Sequence, residues 1–154
     1  MKLKVCGLSN AEEVETCVEN EVNYCGFILN YSKSHRYISY ERAEKLMKIN
    51  KKSSKYVGVL VKPSHEELEK FSKLNLDYFQ LYGIYNDELL KKIKHISIKT
   101  EKMIAGNVTE DKLYYLSKFV DAVDVSGALE TNKVKDIIKI KKFINQIKKI
   151  NNEN

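Results

Sequence analysis

A cysteine that closes a short apolar stretch and stands directly before a glycine is the residue best suited to chemistry in this chain. Lys2–Cys6 reads as a strand and Gly7 opens the loop after it, so the Cys6 thiol sits where a reactive thiolate could meet a ligand. Side chains alternate along a strand, which sets Lys4 and Cys6 on one face and Leu3 and Val5 on the other. An ammonium two residues below the thiol favours its thiolate form. The bland alternative is a buried apolar cysteine. That is the reading for Cys17, which shares a helical stripe with Val14 and Val18, and for Cys25 inside the second strand. Three cysteines without metal-ligand spacing read as reduced thiols and not as a metal site.

Arg36 is the next candidate. Lys and Arg together number 27, yet only Arg36 and Arg42 are arginines, and a guanidinium fork suits a planar carboxylate. Gly106-Asn107 and Ser126-Gly127 each follow a strand, and a glycine there lets backbone N–H groups approach an anion; a simple tight turn is the other reading. Asp124 alternates with Val123 and Val125, and Gln80 and Tyr82 with Phe79 and Leu81. These strands therefore carry one apolar face and one polar set near their C-terminal ends.

The elements that must hold these groups alternate strictly between strand and helix. Strands are expected at 2–6, 24–29, 56–61, 78–81, 103–106 and 122–126. Helices are expected after Ser9-Asn10 (capping box Ser9/Glu12 or Asn10/Glu13), after Ser39, after Ser64 (capping box with Glu67), and over 87–94, 109–119 and 136–147. Parallel strands with helical crossovers make the fold α/β. The polar strand ends fit the mouth of a barrel better than an open sheet covered on both faces. The expected architecture is a reduced TIM-type β/α barrel with six or seven parallel strands instead of eight, a single domain over 1–150, and a polar, frayed tail over 151–154.

With 43% hydrophobic and 31% charged residues the composition is that of a folded domain. No apolar run approaches the roughly 20 residues of a membrane span, and the first residues lack a signal-peptide core. The expected location is the cytoplasm, with no membrane partner. The net charge of +6 invites a nucleic-acid reading, but the lysines are scattered over nearly every helix and arginine is scarce. A lysine-rich surface without a nucleic-acid partner is expected.

Lys4-Val5-Cys6-Gly7-Leu8, Gly26-Phe27-Ile28-Leu29, Ser34-His35-Arg36-Tyr37-Ile38, Phe79-Gln80-Leu81-Tyr82-Gly83, Ile104-Ala105-Gly106-Asn107-Val108-Thr109 and Val123-Asp124-Val125-Ser126-Gly127 occur in that order. Taken together, this ordered set resembles phosphoribosylanthranilate isomerase, a barrel enzyme of tryptophan biosynthesis. The resemblance implies an Amadori rearrangement of N-(5-phosphoribosyl)anthranilate to 1-(2-carboxyphenylamino)-1-deoxyribulose 5-phosphate, without a cofactor. An acid protonates the ribose ring oxygen to open a Schiff base, and a base removes the proton at C2. The resulting enolamine tautomerises to the product. By the resemblance Cys6 is the base, Arg36 holds the anthranilate carboxylate, and Gly106, Asn107, Ser126 and Gly127 bind the phosphate. Lys4 and Gln80 complete the substrate site. His35 stands for a usual proline, Asn107 for a usual glycine and Tyr82 for a usual histidine.

One part of the family pattern is missing. Only Thr100-Glu101-Lys102 separate a fifth strand at 96–99 from the segment that matches the seventh, whereas a parallel crossover needs about a dozen residues. The fifth helix, sixth strand and sixth helix are therefore expected to be absent, and with them the family's acidic aspartate. Asp124 at the barrel mouth is the expected substitute, ahead of Glu130 and Glu101. A degenerate relative that binds phosphosugar without turnover is the alternative, and a basic nucleic-acid-binding protein a further one. The exposed sheet edges left by the gap would be covered in a homodimer.

Overall fold

The computed structural model describes residues 1–82, 103–106, 108–118 and 120–153. Six strands, β1 (Lys2–Cys6), β2 (Tyr24–Ile28), β3 (Lys55–Val61), β4 (Tyr78–Tyr82), β5 (Met103–Ala105) and β6 (Ala122–Val125), form one sheet in the order β4-β3-β2-β1-β6-β5. Every pairing is parallel. The sheet curls as a half-barrel, so the α/β reduced-barrel expectation holds with six strands among the described residues. The expected helix at 87–94, the strand candidate at 95–101, Glu101 and Asn107 lie outside them.

The two faces of the sheet differ as alternation requires. Leu3, Val5, Cys25, Phe27, Tyr56, Leu60, Val123 and Val125 are buried together in the core under the helices. The registers Lys4↔Asp124 and Cys6↔Gly26↔Val57↔Tyr78 place the other set on the concave face. Polar chemistry is thereby confined to the inside of the curl.

Helices α1 (Ala11–Glu19), α2 (Tyr40–Leu46) and α3 (His65–Ser72) start where caps were expected. For α1 the capping box is Asn10/Glu13, and for α3 it is Ser64/Glu67, each satisfying two N-terminal amides reciprocally. The segment expected as a helix over 109–119 is only a 3₁₀ turn, Glu110–Lys112, followed by the single turn α4 (Leu113–Leu116). Leu113 is its one buried residue, so little packing holds a longer helix, and Ser117 Oγ bonds back to the Tyr114 carbonyl.

The last helix, α5 (Ile137–Glu153), buries Ile140, Phe143, Ile144, Ile147 and Ile150, a stripe with helical spacing. It runs through the residues expected to fray. Asn151 accepts a hydrogen bond from the Met1 amino group at 2.5 Å and donates to the Met1 carbonyl at 3.0 Å. Asn151 thereby ties the last turn of α5 to Met1. No helix among the described residues is long and apolar enough to cross a membrane.

Candidate active site

Cys6 is the last residue of β1 and faces the concave side, half-buried. Its backbone is pinned from both neighbours. Gly7 N and Leu8 N donate to the Gly26 carbonyl at 2.9 and 3.0 Å, and Ser126 Oγ donates to the Cys6 carbonyl at 2.9 Å. Gly26 is small for a reason: a Cβ there would stand 3.1 Å from both Cys6 Sγ and Lys4 Nζ. Absence of that carbon lets the thiol and the ammonium share the space over β2.

Beneath Cys6, Lys4 Nζ donates to Asp124 Oδ2 at 2.9 Å, and the two side chains are 2% and 6% exposed. Burial works to lower the Lys4 pKa, but the negative charges of Cys6 and Asp124 and hydrogen bonds to both outweigh it, and the net shift is upward. Lys4 therefore stays an ammonium, placed to stabilise negative charge on the Cys6 sulfur. Asp124 is on the expected face but not at the mouth. The register pairs it with Lys4, one layer below Cys6. Its Oδ1 is buried without a partner among the described residues, and Oδ2 is taken by Lys4. In this arrangement Asp124 is the buried counter-ion of Lys4.

Arg36 lies in the loop after β2. That loop returns along its own strand through an Ile28↔Tyr37 bridge, with Ile38 N donating to the Ile28 carbonyl at 3.0 Å. The arginine is thus held across the β1 exit. Gly7 is in the left-handed region (φ 81), and a Cβ on it would come within 2.4 Å of Arg36 Cδ. Only glycine serves at that turn.

The guanidinium is already forked onto a carboxylate. Arg36 Nε donates to Glu130 Oε1, and Nη2 donates to Oε2 at 3.0 Å. An arginine has five N–H groups, and this side-on grip uses one on Nε and one on Nη2. Lys135 Nζ donates to Glu130 Oε1 at 2.7 Å, to the Ser126 carbonyl at 3.1 Å and to Ser126 Oγ at 3.2 Å. All three ammonium donors are thereby used. His35 Nε2 lies 3.1 Å from Glu130 Oε2. Burial pushes the Glu130 carboxyl up, yet hydrogen bonds from Arg36, Lys135 and His35 overcome it and hold the pKa near about 2. Burial lowers the Lys135 pKa despite that partner. The hub rests on a two-stranded hairpin, β7 (Glu130–Thr131) and β8 (Val134–Lys135), in which Glu130 and Lys135 are directly opposed.

Gly106 follows β5 with φ 85, and no atom of the described residues lies within 4 Å of the position a Cβ would take. Gly127 follows β6, and its Cβ position is 3.6 Å from Arg36 Nη2. Gln80 and Tyr82 face inward from β4. Of the residues singled out from the sequence, Lys4, Cys6 and Asp124 form one contiguous group. Ser126 connects that group to Arg36 through Lys135 and Glu130. Both Glu130 and Lys135 fall in the family motif that runs from Val123 to Asp136, where Glu130 was given only the role of a possible acid and Lys135 none. Their pairing with Arg36 depends on contacts up to 94 residues apart.

Residues 3–105 match the family model described as N-(5'phosphoribosyl)anthranilate (PRA) isomerase. The chain belongs to the phosphoribosylanthranilate isomerase family. The Streptococcus mutans N-(5'-phosphoribosyl)anthranilate isomerase is 34% identical over an alignment of 193 residues that covers 96% of this chain and 99% of the relative. The Streptococcus gordonii protein of the same name is 31% identical, with 96% and 97% covered. An alignment longer than this 154-residue chain means that those isomerases carry residues with no counterpart here. A phosphoribosylanthranilate isomerase solved in complex with reduced 1-(o-carboxyphenylamino)-1-deoxyribulose 5-phosphate superimposes with a TM-score of 0.85 at 25% identity, covering 97% of this chain and 99% of that one. The dimeric isomerase of Thermotoga maritima, solved as monomers, gives 0.83 at 26% identity, with 96% and 98% covered.

Proposed function

We propose that this isomerase acts on N-(5'-phosphoribosyl)anthranilate with Cys6 as the base that removes the ribose C2 proton. The observation that carries the reading is the partly exposed thiol beside a buried ammonium, over a cradle in which a Cβ at Gly26 would crowd both groups. Asp124 fixes Lys4 under the sulfur. The remaining N–H groups of Arg36 receive the anthranilate carboxylate, and Glu130 positions the guanidinium. Gly106, Asn107, Ser126 and Gly127 supply the phosphate loops, and Gln80 borders the ribose. One positioned proton transfer is worth roughly 10²–10⁴-fold. No cofactor enters the scheme. A cytoplasmic location agrees with three free cysteines. A homodimer is part of the same reading, supported by the dimeric Thermotoga maritima relative.

The test is a turnover assay with freshly made phosphoribosylanthranilate, following loss of its fluorescence. A rate equal to the spontaneous one would leave a phosphosugar-binding relative without turnover as the surviving reading.

The Glu130 hub also makes stability depend on acid. Its pKa of about 2, against an ordinary 4.5, means that the stabilisation is fully present above 4.5 and is lost as pH falls toward 2. The size is on the order of 3 kcal/mol from the shift alone, less the opposing burial of Lys135. Urea denaturation between pH 5 and about 2 should show this loss. Glu130→Gln should be less stable at pH 5 and flatter across the window; parallel curves would refute the assignment.

A further inference from the structure

The isomerisation needs a proton at the ribose ring oxygen, and Asp124 is buried under Lys4. Among the described residues, Tyr82 is a proton-bearing group exposed at the C-terminal end of a strand on the same face. It is the last residue of β4, faces the concave side in register with Val61, and is 45% exposed where Asp124 is 7% exposed. Gln80, two residues earlier on the same face, donates from Nε2 to the Tyr82 hydroxyl oxygen at 2.8 Å. Because an amide nitrogen only donates, the phenol oxygen is the acceptor in this bond. Its own hydrogen has no acceptor among the described residues. The phenol is thus held by its oxygen, with its hydrogen not engaged by any described residue.

Resting on the isomerase reading, we infer that the Tyr82 phenol is the catalytic acid of this chain, giving its proton to the ribose ring oxygen while Cys6 acts on C2. The electrostatics agree. Partial burial and the negative charge of Asp124 hold the phenol above its usual range, with Cys6 adding in the same direction and Lys4 and Gln80 opposing. It therefore remains protonated at neutral pH, as an acid must. The coupling to Asp124, Lys4 and Cys6 also places the phenol in the electrostatic field of the same site.

The steps balance. The Oη–H bond breaks and the proton passes to the ring oxygen as the C1–O bond opens, the nitrogen lone pair forming C1=N. Cys6 thiolate then takes the C2 proton, and that C–H electron pair forms C1=C2 while the C=N pair returns to nitrogen. In the tautomerisation C1 gains a proton from the Cys6 thiol and the C2 hydroxyl gives one to the Tyr82 phenolate. Both groups end as they began, and no oxidant or reductant is consumed.

The test compares kcat and KM of the full-length wild-type chain with Tyr82→Phe, which deletes one oxygen, and Tyr82→His, which restores a proton donor. Tyr82→Phe should lower kcat by about 10²–10⁴-fold with KM within about threefold. Tyr82→His should recover at least about tenfold of that loss and move the alkaline limb of the kcat–pH profile toward neutrality. A Tyr82→Phe kcat within about threefold of wild type, while Cys6→Ser is inactive, overturns the acid and leaves the isomerase reading standing. A change in KM alone shows a binding group and also overturns it. Absence of wild-type turnover overturns both.

Discussion

Replacing Cys6 by serine is expected to lower kcat by about 10²–10⁴-fold while the protein still folds. An alcohol is a far weaker acid than a thiol, so at neutral pH serine supplies almost no anion to take the C2 proton. The substitution is nearly isosteric at a half-buried position whose backbone is held independently by Gly26 and Ser126. Binding should therefore survive: the KM, or the Kd for a reduced product analogue, should change little. Thermal unfolding measured beside the turnover assay separates loss of chemistry from loss of fold. A Cys6→Ser enzyme with wild-type kcat would require another base and would remove the central claim.

The second large effect concerns stability. Lys4→Met should destabilise the chain by about 3–5 kcal/mol, because it strands the Asp124 carboxylate in a site where it has no other hydrogen-bond partner among the described residues. Equilibrium urea unfolding at pH 7 measures it, and a loss below about 1 kcal/mol would show that the pair is solvated. The double variant Lys4→Met/Asp124→Leu should regain much of the loss, since replacing a whole buried pair with apolar groups is often neutral. It should not regain activity, because Cys6 would then lack its neighbouring cation. The pair has a pH signature as well. Folding raises the Lys4 pKa above 10.5, so this contribution is complete below that value and is lost as pH rises through the folded-state pKa.

Both predictions start from residues that alternation in β1 had already placed on one face. The period of two needs only the chain itself, so Lys4 and Cys6 inward and Leu3 and Val5 outward followed from five residues. Capping chemistry is local in the same way. Ser39 and the Ser64/Glu67 box were legible because their partners lie within one turn; at α1 the choice between two overlapping boxes fell to Asn10/Glu13 in the fold. The ordered motifs carried the family, and a gap too short for a crossover led to the expectation that one strand and two helices of the family pattern are absent.

What lay beyond the sequence was depth and partnership. Alternation assigns a face but not a layer; that depends on the stagger between β1 and β6, which pairs Asp124 with Lys4 rather than with Cys6. The same stagger sets Asp124 under Lys4 as its buried counter-ion, while Tyr82, placed by alternation on the polar face and noted as a departure from histidine, is exposed at the end of β4. Glu130 met Arg36 across 94 residues, and Asn151 met Met1 across 150. Local periodicity says nothing about such contacts, because they exist only once the strands have paired and the loops at their ends have been brought together. By itself, then, the sequence determined most of the described elements, their inward faces and the thiol proposed here as the base. Only the tertiary structure decided which charges stand beside that thiol and which are free to meet a substrate.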